Sequence, residues 1–250
     1  TRYKLVTGVQ TCALPIYPHE AINWNPITET LRNLKLARAN AKVFQTLLGI
    51  SWMWFFGAVF LSQFPSFAKE VLHGDAQVAS LLLVLFSVGI GAGSLLCEYL
   101  SRGRVEIGLS PLGAIGMTLF AVDLYVAASN LAISELMGVS AFVAQSAHWR
   151  IMADLLLLSL FTGIYSVPMY ALIQIESKAH EVARIIAANN IINALFMIAS
   201  SLIAGAMLSA GMNIPDIFLW TGVANAVVTL AIFVAEPSYL HRFAAWLRGV

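Results

Sequence analysis

Residues Val43–Phe67 read VFQTLLGISWMWFFGAVFLSQFPSF, a stretch without one Asp, Glu, Lys or Arg. A helix of that length extends roughly 37 Å, enough to cross the ~30 Å hydrocarbon core of a bilayer with some tilt. Working outward, the pattern recurs. Gln77–Cys97 carries no charge, Pro111–Ser129 carries only Asp123, and Met152–Gln174 carries only Asp154 near its start. Ile185–Leu208 and Ile217–Ala235 carry none. The windows 43–67, 77–97, 111–129, 152–174, 185–208 and 217–235 predict an all-α membrane protein with six transmembrane helices. The third window is the shortest.

Composition agrees. Of 250 residues, 59% are hydrophobic and 11% charged, against about 25% charged in soluble domains. Mean hydropathy is +0.80. So few charges cannot cover a water-facing surface of this size, so the solvent for most of the chain is lipid. A net charge of +1 gives no electrostatic case for nucleic acid. Cys12 and Cys97 lie far apart, and the five histidines are scattered, so neither a disulfide framework nor a metal site is expected. No nucleophile–base pair is apparent, and no enzymatic activity or cofactor is expected. The GxxxxGK[ST] loop of ATP-driven pumps is missing from these 250 residues.

Polar punctuation separates the windows at His73-Gly74-Asp75, Ser101–Arg104, Glu176–Arg184 and Met212–Asp216, where Pro215 suits a first helical turn. Leu131–Arg150 is too weakly apolar to span and reads as an interfacial segment. Six crossings put Arg32, Lys35, Arg38, Lys42, Arg102, Arg104, Lys178, Arg184, Arg242 and Arg248 on one side, leaving Lys69 and Arg150 on the other. The positive-inside rule then places both ends in the cytosol. Before the first span, Asn25 is a good N-cap and Pro26 a good first helical residue. Ile27, Leu31 and Leu34 share one face, so this part of the 17–42 linker reads as a basic amphipathic helix on the membrane surface. A solvated connector is the alternative.

Polar side chains within spans are costly unless paired, so they are the candidate functional residues. Asn189 and Asn193, spaced i, i+4, share a helix face, and Asn190 lies about 100° around. Their amides suit a zwitterionic or phosphate head group, or else join helices to one another. Tyr165, Tyr170 and Gln174 are further cavity candidates. Pro168 removes a backbone donor and, with Gly163, marks a kink or gate. Asp123 is the most deeply placed acid and a candidate for ion coupling, whereas Asp154 reads as interfacial. Trp52, Trp54, Phe55 and Phe56 either pack the bundle or wall a lipid-accessible groove.

The first residues are unlike the rest. Val6–Ile16 resembles the translation of a common sequencing adapter, so residues 1–16 are read as non-native and Cys12 as without significance. Native sequence is then expected to be missing before residue 17, and the 236–250 tail to be truncated.

Six helices with both ends on one side, preceded by a basic amphipathic linker, resemble the C-terminal half of a major facilitator superfamily transporter. Gly93–Glu98 running into Ser101-Arg102-Gly103-Arg104 is similar to that family's loop motif, with Glu98 for the usual aspartate and the glycine one position out of register. The segments Phe60–Pro65, Ser166–Gln174 and Ala183–Ala194 resemble the lysophospholipid transporter branch, in the form fused to a glycerophospholipid acyltransferase. Glu236–Phe243 with Trp246 resembles the link into that enzyme, although no His-x4-Asp motif of it occurs here. The resemblance covers about residues 20–250. It implies a fragment of a secondary transporter in the bacterial cytoplasmic membrane that moves lysophospholipid by alternating access. It implies as partners membrane lipid, a missing N-terminal six-helix half and a downstream acyltransferase domain. It also implies that the helix bearing Asn189 borders the substrate cavity, and that Glu98, Arg102 and Arg104 form a cytoplasmic charge lock. A drug or sugar carrier of the same superfamily, or a non-transporting scaffold for the acyltransferase, are the alternatives.

Overall fold

The computed structural model describes residues 24–131, 135–178 and 180–249. The adapter-like segment with Cys12, and linker residues 17–23, lie outside them. Six helices are long and apolar enough to span a membrane, each overlapping one of the six apolar windows. They are α2 (Ala41–Ser66), α3 (Ala76–Leu100), α4 (Leu109–Ser129), α6 (Trp149–Glu176), α7 (Val182–Ser209) and α8 (Ile214–Ala235). Three shorter helices accompany them: α1 (Pro26–Arg38), α5 (Val139–Ala144) and α9 (Ser238–Leu247). The described residues contain no strand. Hydrocarbon offers no hydrogen bonds to a backbone, so an all-helical answer is the expected one.

The helix ends follow local chemistry. The Asn25 side chain accepts from the backbone N–H groups of Ile27 (3.0 Å) and Thr28 (3.2 Å) to start α1. Asn40 caps α2 in the same way, and Asp75 caps α3. α8 opens on a full capping box, Asn213 and Asp216 each accepting from the other's backbone. It therefore begins three residues before its apolar window. In α2, Pro65 lacks an N–H to donate, and the helix relaxes just beyond it into a π-turn over Phe67–Val71.

Packing gives each span a place. α6 lies between α3 and α4; α4 also packs on α8; α2 contacts α7, α6 and α8. α2 is the most buried of the six spans, while α3 and α7 flank the bundle and leave most of their surface uncovered. The core is aromatic around α2: Phe60 stacks on Phe218 of α8 at 4.4 Å, and Phe64 meets Phe86 of α3 edge-on. The outer faces are apolar as well, with Leu95, Leu202 and Val227 each about two-thirds exposed. Apolar surface on that scale belongs in lipid.

Ten of the twelve described Lys and Arg residues lie at one end of the bundle, and Lys69 and Arg150 at the other. At the basic end, Lys42 Nζ meets Glu176 Oε1 at 2.7 Å, joining the start of α2 to the end of α6. At the opposite end, the segment before α5 crosses to the α2–α3 turn. There Met137 N–H donates to the His73 carbonyl (2.8 Å), and Asp75 N–H donates to the Met137 carbonyl (3.0 Å). Residues 135–148 thus close that end with a backbone bridge, the short α5 and a 3₁₀ turn.

The expected tail holds a packed helix. Arg242 of α9 forks onto Glu106, Nε to Oε1 at 3.2 Å and Nη2 to Oε2 at 2.8 Å. The buried Tyr239 hydroxyl lies 2.9 Å from Thr46 Oγ1 of α2. Burial pushes the Tyr239 phenol well above its ordinary pKa, so it stays protonated and remains able to donate.

α3 and α6 approach so closely that only glycine fits where they cross. A Cβ at Gly93 would collide with the Leu160 carbonyl, and one at Gly163 would lie 2.5 Å from the Ile90 carbonyl oxygen. Small residues at such crossings are what let helices associate in lipid. Gly93→Ala should therefore lower stability by about 1–3 kcal/mol through overpacking. Gly91→Ala, two residues away with open space where its Cβ would stand, should not. Thermal unfolding of the detergent-solubilised protein checks the contrast.

Candidate functional site

Asn189 and Asn193 lie about 11 and 17 Å from the start of α7 at a helical rise of 1.5 Å per residue. Ser51 of α2 lies about 15 Å from its own start at the same end. That depth is close to the middle of a ~30 Å hydrocarbon core. Both asparagines are buried. The orientation of the Asn193 amide is set by its neighbours. Its oxygen accepts from Asn189 Nδ2 (2.9 Å) and Trp54 Nε1 (3.3 Å), and its nitrogen donates to Ser51 Oγ (2.7 Å) and to the Asn189 carbonyl (3.1 Å). Trp54 Nε1 also donates to the Tyr170 hydroxyl at 2.8 Å. Three helices, α2, α6 and α7, therefore contribute to one polar cluster.

The cluster is incomplete and open on one side. Asn189 Oδ1 is buried and has no donor among the described residues, a costly state in a medium without water. Trp54 is 39% exposed, and Tyr170 is half-buried. Asn190 is exposed on the neighbouring face of α7, and Gln174 is exposed near the basic end of α6.

Other candidate residues have different surroundings. Tyr165 is fully buried and ties helices together: its hydroxyl donates to the Gly49 carbonyl (3.0 Å), and its carbonyl accepts from Ser110 Oγ (3.2 Å). α6 runs unbroken through Pro168, and Gly163 forms the close crossing with α3. Asp123 lies toward the end opposite the basic one, where Arg150 Nε donates to its Oδ2 at 3.1 Å and Nη2 donates to Oδ1. The more deeply buried acid is Asp154, 3% exposed, with Oδ2 lacking a partner. Glu98 makes no ion pair with Arg102 or Arg104 among the described residues. In the loop that follows, Glu106 pairs with Arg242 of α9.

Two features escaped the sequence reading. Ser51 is an ordinary serine in an apolar window, and only the packing of α2 on α7 reveals its partner. Asn225 is fully buried and joins three helices: its Oδ1 accepts from Trp52 Nε1 (2.9 Å), and its Nδ2 donates to the Ala114 carbonyl (3.0 Å) and to Thr118 Oγ1 (2.9 Å). The signal that marks Asn189, an amide in an uncharged window, was present at Asn225 too. Its bonds are satisfied within the bundle, so it reads as helix-joining.

Beside the polar cluster runs an apolar groove between α2, α7 and α8, with a volume of about 370 Å³. Trp52, Phe55, Ile203, Met207 and Trp220 are among its walls. It extends from the level of the asparagines toward the end opposite the basic one. Trp52 and Phe55 thus wall a groove, whereas Phe56 is fully buried in the core.

Asn193→Ala should cost about 1–2 kcal/mol, given roughly 0.6 kcal/mol per interhelical hydrogen bond in membranes. Asn190→Ala, on the exposed face, should leave stability unchanged. Thermal unfolding in detergent measures both.

The chain matches no family model, no curated protein and no solved structure.

Proposed function

We propose that this chain is one six-helix half of a secondary transporter of the major facilitator type, and that the complete transporter moves a lysophospholipid across the cytoplasmic membrane by alternating access. The observation that carries this reading is the polar cluster of Ser51, Trp54, Tyr170, Asn189 and Asn193. It lies near mid-membrane, opens to one side at Trp54, and leaves a buried acceptor on Asn189 without a donor. Polar groups at that depth normally face a bundle interior or a water-filled cavity. A second six-helix unit covering the flank helices α3 and α7 would create such a cavity, with the substrate site between the halves. The adjoining apolar groove suits the single acyl chain of an amphiphile whose head group meets the amides. A free sugar would have no use for the groove, which favours a lipid-like substrate. The concentration of Lys and Arg at one end supports a cytosolic location for that end, and so for both ends of the chain.

Proteoliposomes carrying the complete protein should take up labelled lysophosphatidylethanolamine. Asn189→Ala combined with Asn193→Ala should cut that uptake at least tenfold. Asn225→Ala, which removes an amide outside the cluster, should destabilise the protein without matching that loss. Uptake that persists in the double variant sinks the site assignment. A separate labelling experiment checks the topology: single cysteines placed at Arg38 and Gly249 should react with a membrane-impermeant maleimide only after the cells are opened.

A further inference from the structure

A second pocket lies at the basic end, where α3, the turn after it and α9 meet. Its volume is about 650 Å³, and its walls include Tyr99, Arg102, Arg104, Glu106, Arg242 and Trp246. Glu106 is already committed: it accepts both bonds of the Arg242 fork and one from the Gly108 N–H at 3.1 Å. The Arg102 and Arg104 side chains are exposed, and neither guanidinium makes a hydrogen bond or ion pair with any described residue; only the backbone N–H groups are bonded, to the Tyr99 and Ser101 carbonyls. The pocket therefore carries three guanidinium groups against one carboxylate, an excess of two positive charges. The turn that presents them is unusual. Arg102 sits at φ +53°, followed by Gly103 at φ +68°, and non-glycine residues seldom adopt that conformation. Trp246 Nε1 donates to the Leu100 carbonyl (3.4 Å) and holds α9 against the end of α3.

Just membrane-ward of the arginines, the wall turns apolar. Tyr99 is 80% exposed and Leu95 70% exposed on the outer surface of α3. Tyr and Trp favour the depth of lipid head groups, and basic pockets between spans at that depth recognise anionic lipid phosphates. We propose that this pocket binds the head group of an anionic phospholipid of the adjacent leaflet. Arg102 and Arg104 hold its phosphodiester, Trp246 and Tyr99 flank the glycerol region, and an acyl chain lies along Leu95. The site is distinct from the mid-membrane amide cluster and does not depend on what the protein transports.

Reconstitution with brominated lipids tests it, with the Trp246 signal taken as the difference between the parent protein and Trp246→Phe. Brominated phosphatidylglycerol should quench Trp246 at about tenfold lower mole fraction than brominated phosphatidylcholine, since two unpaired arginines face the phosphate. The preference should fall to near unity in R102Q/R104Q and persist in Lys69→Gln, which alters a cation at the opposite end. Both side chains are exposed and the substitutions leave the backbone bonds of the turn in place, so the thermal midpoint of R102Q/R104Q should equal the parent's. Equal quenching by the two lipids in the parent, or a preference that survives R102Q/R104Q, overturns the proposal. So does loss of the preference on adding inorganic phosphate at constant ionic strength, which would assign the pocket to a soluble anion.

Discussion

Hydrocarbon cannot accept or donate a hydrogen bond, and most of this chain answers to that fact. Every backbone group at membrane depth has to find its partner within the protein, so the spans are helices. Their outward faces can be apolar without penalty, so the bundle shows Leu and Val where a soluble protein would show Lys and Glu. Association cannot come from excluding water. It comes from close backbone contact, as where Gly93 and Gly163 let α3 and α6 cross, and from hydrogen bonds between spans.

The same constraint separates two kinds of buried amide. Asn225 spends its capacity inside the bundle, on an indole, a carbonyl and a hydroxyl. It resembles a rivet between α2, α4 and α8. Asn189 and Asn193 also bond to each other and to neighbours, yet their cluster keeps an unused acceptor and reaches a half-open edge at Trp54 and Tyr170. Residue type alone does not distinguish these roles. The count of satisfied bonds and the direction of the opening do.

The spans were legible because their signal is carried by some twenty residues at once. The cap at Asn25 was legible for a different reason: it acts on backbone groups two and three positions away, so the relevant geometry is local. Relations between distant positions were not legible. Nothing near Ser51 in sequence points to Asn193, and nothing near Glu106 points to Arg242. The family resemblance implied a lock of Glu98 with Arg102 and Arg104, but the two arginines follow a left-handed turn at Arg102 and line a pocket formed with α9. Asp123 looked the more deeply placed acid when counted along its window. Depth along the helix is not burial, however, and Arg150 meets it from α6 while Asp154 lies behind, covered. The tail beyond residue 235 was readable as polar and basic, yet its docking depends on Thr46 and Glu106, far back in the chain.

The hydroxyl pair between Thr46 and Tyr239 has a mechanical meaning. Thr46 stands five residues before Ser51 on α2, the helix that also carries Trp54 into the amide cluster. A stiff rod fixed at one end to a surface helix behaves as a lever. α9 is itself moored on the far side by Arg242 on Glu106 and Trp246 on Leu100, so a tilt of α2 would be resisted at Thr46.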